Sequence, residues 1–251
     1  MRVLITRPRP AATALAAQLT ALGHGALVEP LLTIIEEPDA RPRLSHALDG
    51  VQAVLFTSTN GVASFAAASE RRDLRVFAVG DGTAAAARHA GFAETESAQG
   101  DVEALATLVA ARLDPCKGAL LHASGHAVAG DLAGRLARLG FAVRSVPLYH
   151  AIAAGALSAP TLAAVRAGKI DAALFFSPRT AATFVRLARA AGIERNCMRM
   201  ASVALSAAVA VELKELSWRQ VLVAEAPTEA GVLKGLDGLE AEPRRAGAPN
   251  P

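Results

Sequence analysis

The chain repeats a strand–turn–helix–strand pattern at a fixed separation, and this repetition constrains the fold more than any single motif. Val3–Thr6 is apolar and β-branched, and Arg7–Pro10 breaks the run. Ala11–Leu22 then places Leu15, Leu19 and Leu22 on one helical face before Gly23. Ala26–Val28 resumes an extended stretch. In the second half Ala119–His122 is strand-like, Ser124–His126 reads as a loop, and Leu132, Leu136 and Leu139 mark a helix. Gly140 ends that helix and Val143–Val146 is a strand. Leu132 minus Leu15, Leu139 minus Leu22, Gly140 minus Gly23 and Pro147 minus Pro30 all give 117. One offset held across a whole unit points to an internal duplication.

The later parts of the two copies also match. Ala53–Ser58 (AVLFTS) pairs with Ala172–Ser177 (AALFFS) at an offset of 119 (172 minus 53). Val76–Thr83 (VFAVGDGT) resembles Met200–Ala207 (MASVALSA), and Gln99–Leu105 faintly echoes Ala226–Leu233. Strands alternating with Ala-rich helices predict an α/β protein of two similar parallel-sheet domains with a cleft between them. The equivalent stretches PLLTII (from Pro30) and PLYHAI (from Pro147) are β-favouring and suit the crossings between the domains.

Composition narrows the function. Hydrophobic residues make up 52% and charged residues 20%, a globular profile in which 251 residues can bury a large core. The net charge of +3 comes without a Lys/Arg block interleaved with aromatics, which argues against a nucleic-acid partner and is compatible with a small anion. Cys116 and Cys197, both expected in loops, form neither a disulfide framework nor a metal pattern. No apolar leader and no run of ~20 apolar residues is found, so a cytoplasmic protein without a membrane partner is expected. Polar, Pro-rich Glu240–Pro251 reads as a disordered tail over 241–251.

The familiar catalytic signatures are missing: no phosphate loop, no H-E-x-x-H and no G-x-S-x-G. What recurs is a strand end, a small polar turn and a helix. It occurs at Thr6–Pro10, Thr57–Gly61 (TSTNG), Gly80–Thr83 (GDGT), Ala123–His126 (ASGH), Ser177–Thr180 (SPRT) and Leu205–Ala207 (LSA). In a parallel sheet such turns gather at the carboxyl ends of the strands, where free helix N-terminal amides can seat a carboxylate or phosphate. Each turn alone is explained by ordinary helix capping. Six together suit a ligand with many carboxylates. GDGT lacks the full dinucleotide spacing. Tyr149, the only tyrosine, is either a packed strand aromatic or a cleft residue.

Taken in order, these segments resemble the uroporphyrinogen-III synthase family. The matching pieces are VLITRP at Val3–Pro8, PLLTII at Pro30–Ile35, VLFTSTNGV at Val54–Val62, and FAVGDGTAAAARHAGF at Phe77–Phe92. They continue with GDVEAL at Gly100–Leu105, LGFAVRSVPLYHA at Leu139–Ala151, ALFFSPRTAATF at Ala173–Phe184, and a degenerate AEAPTEAGVL at Ala224–Leu233. The resemblance covers about positions 1–238. It implies a discontinuous domain of residues 1–34 and 153–240, a second domain over 40–145, and a two-stranded linker ladder from 30–39 and 146–152. The duplication alone does not distinguish this interleaved path from two tandem domains.

The resemblance further implies a cofactor-free, metal-free monomeric lyase of porphyrin and other tetrapyrrole biosynthesis. Its substrate would be hydroxymethylbilane, a linear tetrapyrrole with eight carboxylates. Loss of the terminal hydroxyl as water leaves an azafulvene, and the last ring attacks through its substituted carbon. The resulting spiro intermediate fragments and recloses with that ring inverted. By position, Tyr149 matches the family tyrosine that assists the leaving hydroxyl. Thr83 matches the Thr of a G-x-x-T turn, and Ser58 and Ser177 match the Ser of two F-[TF]-S turns. Thr59, Asn60 and Ser124 are further expected donors, and Arg7 and Arg179 carboxylate partners. Where the family often has I-G-P-x-T, this chain has Ala204–Ala208 (ALSAA), so Ser206 is expected to take over part of that Thr's role. The competing expectation is a non-catalytic two-domain binder or sensor of a carboxylate-rich small molecule.

Overall fold

The computed structural model describes residues 1–127 and 130–239. The first six strands are β1 (Arg2–Ile5), β2 (Gly25–Val28), β3 (Leu32–Glu36), β4 (Val51–Phe56), β5 (Arg75–Ala78) and β6 (Thr95–Ser97). They are followed by β7 (Ala119–Gly125), β8 (Val143–Ala153), β9 (Ala172–Phe175), β10 (Ala201–Ala204) and β11 (Gln220–Val223). The chain forms two compact units, one of Met1–Thr33 with residues 153–239, the other of Ile34–Ile152.

The first unit holds a five-stranded sheet in the order β11-β10-β9-β1-β2, with every neighbouring pair parallel. The second holds a six-stranded sheet in the order β3-β8-β7-β4-β5-β6, parallel from β8 to β6. Setting β3 aside, β8-β7-β4-β5-β6 repeats β2-β1-β9-β10-β11 under the duplication. Register repeats as well: Val3 faces Ala172, and their equivalents Leu120 and Ala53 face each other. Each sheet therefore joins the front strands of one copy to the back strands of the other. On β3 and β8, Glu37 N–H donates to the Leu148 carbonyl at 2.9 Å and Ala154 N–H to that of Leu31 at 2.9 Å. One index rises while the other falls, which makes this pairing antiparallel.

Strand alternation divides each unit into two apolar layers. Leu4 packs in one layer with Phe175 and Phe184, while Val3 and Ile5 pack in the other with Leu15 and Leu19. In the second unit Val54 and Phe56 face a layer holding Phe65 and Phe92, and Ala53 and Leu55 face Leu105 and Leu136.

Four details depart from the sequence reading. Leu22 and Leu139 end their helices as C-caps and are 53% and 49% exposed, so they lie off the buried face in both copies. Ser124 and Gly125 belong to β7, not to a loop, because they pair with Pro147 and Tyr149 on β8 across a register shift. Cys197 is buried in the short helix Glu194–Cys197, and Cys116 sits in a 3-10 turn.

The pairing of Val76–Thr83 with Met200–Ala207 is two residues out. Ala53 faces Arg75 and Ala172 faces Ala201, and Gly80 and Ser206 each cap the following helix, so the true offset is 126 (206 minus 80). Val209, not a residue of ALSAA, is the equivalent of Thr83. Ser206 stands where Gly80 does.

Candidate active site

In the second unit β4 runs into a turn from which the helix Thr59–Ala68 starts. Ser58 is extended (φ −158°), and its Oγ accepts the Gly61 N–H at 3.0 Å, an ordinary N-cap. The same Oγ lies 2.9 Å from the Tyr149 phenol oxygen. One atom of Ser58 thus both caps the helix and meets the Tyr149 hydroxyl. Gly61 permits the close approach of this turn to β7, since a Cβ there would sit 2.8 Å from the Ala123 carbonyl oxygen. Thr59 is exposed and Asn60 half-buried in the first helical turn.

Tyr149 points into the unit from β8 and is 7% exposed. Its ring covers Gly125, where an added Cβ would be 2.8 Å from Cε2 and Cζ and 3.2 Å from the hydroxyl. The tyrosine is thus both a packed aromatic and the holder of a polar tip whose partner is Ser58. A buried phenol bonded to a serine can exchange a proton with a bound group once Ser58 supplies the second hydrogen bond.

Beside it on β7, Ser124 is buried and His122 is 4% exposed, with Nε2 3.3 Å from the Thr57 hydroxyl. Burial pushes the His122 imidazole down to about 4, so at neutral pH it is uncharged. His122, Ser124, Gly125, His126, Ser145 and Pro147 border a cavity of about 170 Å³, which has room for a short side arm of a ligand. The next strand end, β5, leads to Gly80, whose following helix Asp81–His89 has no side-chain cap. Its first amides are available to an acceptor. Thr83, the third residue of that helix, is buried.

In the first unit Ser177 caps the helix Pro178–Ala190, with its Oγ 3.2 Å from the Thr180 N–H and 2.7 Å from the Thr180 hydroxyl. Arg179 is exposed in the first turn. Ser206 is the N-cap residue of the helix Ala207–Leu213: its carbonyl accepts the Val209 and Ala210 N–H groups at 3.1 Å, and its side chain makes no cap bond. Arg7 is held by Glu229, which also accepts a bond from Gln18 at 3.1 Å, and its guanidinium stacks on Phe176 at 4.4 Å from the ring centre. Ser58 follows β4, Ser124 lies near the end of the adjacent β7 and Tyr149 on β8 beyond it, with Ser58 and Tyr149 in contact, whereas Arg7 is already paired. Gly125 and His122 were missed in the sequence. Gly125 lay within the ASGH turn, but its contact with Tyr149 depends on the shifted register.

The family sequence model described as uroporphyrinogen-III synthase HemD matches residues 13–234. No curated protein sequence matches the chain. Among solved structures, a mutant uroporphyrinogen III synthase from the extremely thermophilic bacterium Thermus thermophilus matches with a TM-score of 0.59 at 19% identity, covering 94% of this chain and 97% of that one. Uroporphyrinogen-III synthetase from Helicobacter pylori matches with a TM-score of 0.59 at 15% identity, covering 96% and 100%. At these identities the two structures share the fold.

Proposed function

The chain belongs to the uroporphyrinogen-III synthase family, and we propose that Tyr149, paired with Ser58, is the group that protonates the departing hydroxyl of its substrate. The enzyme is a lyase that dehydrates and cyclises hydroxymethylbilane to uroporphyrinogen III. One molecule of water leaves, and the substrate's own pyrroles supply the electrophile and the nucleophile. The protein's task is to hold the chain so that ring inversion outruns spontaneous closure.

The observation that carries the assignment is the 2.9 Å contact between a 7% exposed phenol and the Ser58 hydroxyl at a strand end. Such a phenol donates its proton as the C–O bond breaks, and Ser58 steadies the oxygen left behind. Carboxylates of the substrate would be received by backbone N–H groups and hydroxyls at the other turns, namely Thr59 and Asn60, Thr83, Ser124, Ser177 and Arg179, and Ser206. Arg7 would join them only by exchanging Glu229 for a substrate carboxylate.

We place the enzyme in the reducing cytoplasm, a reading supported by two free cysteines, one of them exposed, and expect it to be a monomer. No helix among the described residues is long and apolar enough to cross a membrane. Sedimentation of the purified protein at working concentration checks the monomer. The decisive assay generates hydroxymethylbilane in situ and separates the type I and type III isomers with wild type and Tyr149→Phe. Type III should accumulate with wild type and slow in the folded variant. An unchanged rate in that variant removes Tyr149 from the chemistry.

A further inference from the structure

We propose that Glu37, His126 and His150 form a binding site for a divalent transition-metal ion, of the class that takes imidazole and carboxylate ligands. Among the described residues these are the only three metal-ligating side chains whose donor atoms gather, all within 4.8 Å of one another. Glu37 follows β3, His150 lies in β8 and His126 follows β7, and these three strands are neighbours in the order β3-β8-β7. The backbone fixes each position. Glu37 N–H donates to the Leu148 carbonyl at 2.9 Å and His126 N–H to that of Tyr149 at 3.1 Å.

The side chains are arranged as ligands more than as a salt bridge. Nε2 of His126 is 2.8 Å and Nε2 of His150 2.5 Å from one oxygen, Oε1 of Glu37. Despite those distances neither ring N–H is aimed along a hydrogen bond, and Oε1, buried at the atom level, has no hydrogen-bond partner. The two imidazoles are stacked 3.9 Å apart with their planes 7° from parallel. Two imidazole nitrogens beside a carboxylate oxygen are a donor set that such a metal takes. Bonds of about 2.1 Å set tetrahedral ligands roughly 3.4 Å apart. The two nitrogen–oxygen separations need to open by under an ångström, which histidines 46% and 48% exposed can do. Two imidazoles and a carboxylate leave coordination positions for water and suit Zn²⁺, Co²⁺, Ni²⁺ or Cu²⁺ over Mg²⁺.

His150 follows Tyr149 and His126 follows Gly125, so a bound ion would tie together the two strands that carry the phenol and its glycine seat. This site is independent of the proton transfer assigned to Tyr149.

Chelator-treated full-length protein is titrated with Zn²⁺ against a chromophoric chelator, and with Co²⁺ while its visible absorption is recorded. One equivalent should bind, with Co²⁺ bands of a four- or five-coordinate site and a rise in Tm. His126→Ala and His150→Ala should each weaken binding by more than about 100-fold, since loss of an outer-shell partner alone costs roughly 10- to 100-fold. Both histidines are half-exposed, so the metal-free variants should keep the wild-type Tm. Should either fail to fold, Glu37→Gln supplies the same comparison. No stoichiometric binding by wild type, or binding that survives in the folded variants, overturns the proposal.

Discussion

The Tyr149 ring lies on the bare Cα of Gly125, so close that a methyl group there would stand 2.8 Å from two ring carbons. Backbone would have to move, because neither β7 nor an aromatic ring can yield like a flexible side-chain tip. Gly125→Ala should therefore destabilise the protein by about 1–3 kcal/mol and lower activity by displacing the phenol from Ser58. Chemical denaturation and the isomer assay read the two effects. In the double variant with Tyr149→Phe the activity losses should not add, because both remove one hydroxyl from one position.

Tyr149→Phe keeps the packing and loses the bond to Ser58. The expected cost in stability is about 1 kcal/mol, while turnover falls about 100-fold, the lower end of what a positioned proton donor contributes. A rate within a factor of a few of wild type would leave the tyrosine a packing role only.

Ser58→Ala removes the cap on the Thr59–Ala68 helix and the partner of Tyr149 at once. Stability should fall by about 1 kcal/mol, with turnover reduced less than in Tyr149→Phe because the amides of the turn stay in place. Complete loss of turnover in a folded variant would contradict a site built mainly from backbone donors.

His122 makes stability depend on pH. Burial lowers its folded-state value to about 4, against 6.5 for a free imidazole. The unfolded chain takes up a proton as pH drops through 6.5, and the folded chain does so only near 4. The contribution is thus complete above pH 6.5 and is lost as pH falls towards 4, by about 3 kcal/mol. Asp101, held below the usual carboxylate range by the N–H groups of Ala104 and Glu103, acts at lower pH. Urea midpoints between pH 7 and 4 should fall in wild type, and His122→Gln should flatten that slope.

The thiols should differ sharply. Burial pushes Cys197 up to about 12, whereas Cys116 is exposed. A thiol reagent should label one cysteine in the native protein, mapping to Cys116 by mass spectrometry, and both after unfolding. Rapid labelling of both without denaturant would show that the Glu194–Cys197 helix opens readily.

Much of the fold was legible because duplication leaves a numerical trace. The offset that links Leu15 to Leu132 also relates the register of Val3 and Ala172 to that of Leu120 and Ala53. Periodicity misled at Leu22 and Leu139, since a leucine at a helix end continues the pattern without reaching the core. Similarity also slipped by two residues before β10, where small apolar residues match in several frames and only strand pairing fixes one. Ser58 and Tyr149 were named separately, but their contact joins positions far apart in the chain. Glu37, His126 and His150 escaped for the same reason. Spacing along the chain does not reveal donors gathered from three neighbouring strands.

The interleaving of the two copies has a consequence for synthesis. Ile34–Ile152 is a continuous stretch, so its unit can close as soon as that stretch leaves the ribosome. β1, in contrast, sits between β2 and β9. Met1–Thr33 emerges first and must wait, its apolar strands unpartnered on one side, until Ala172–Phe175 has been translated. A nascent chain that has released Ile34–Ile152 while Ala172–Phe175 is still inside the ribosome would hold one finished unit and one exposed strand edge, and there the need for chaperone protection is greatest.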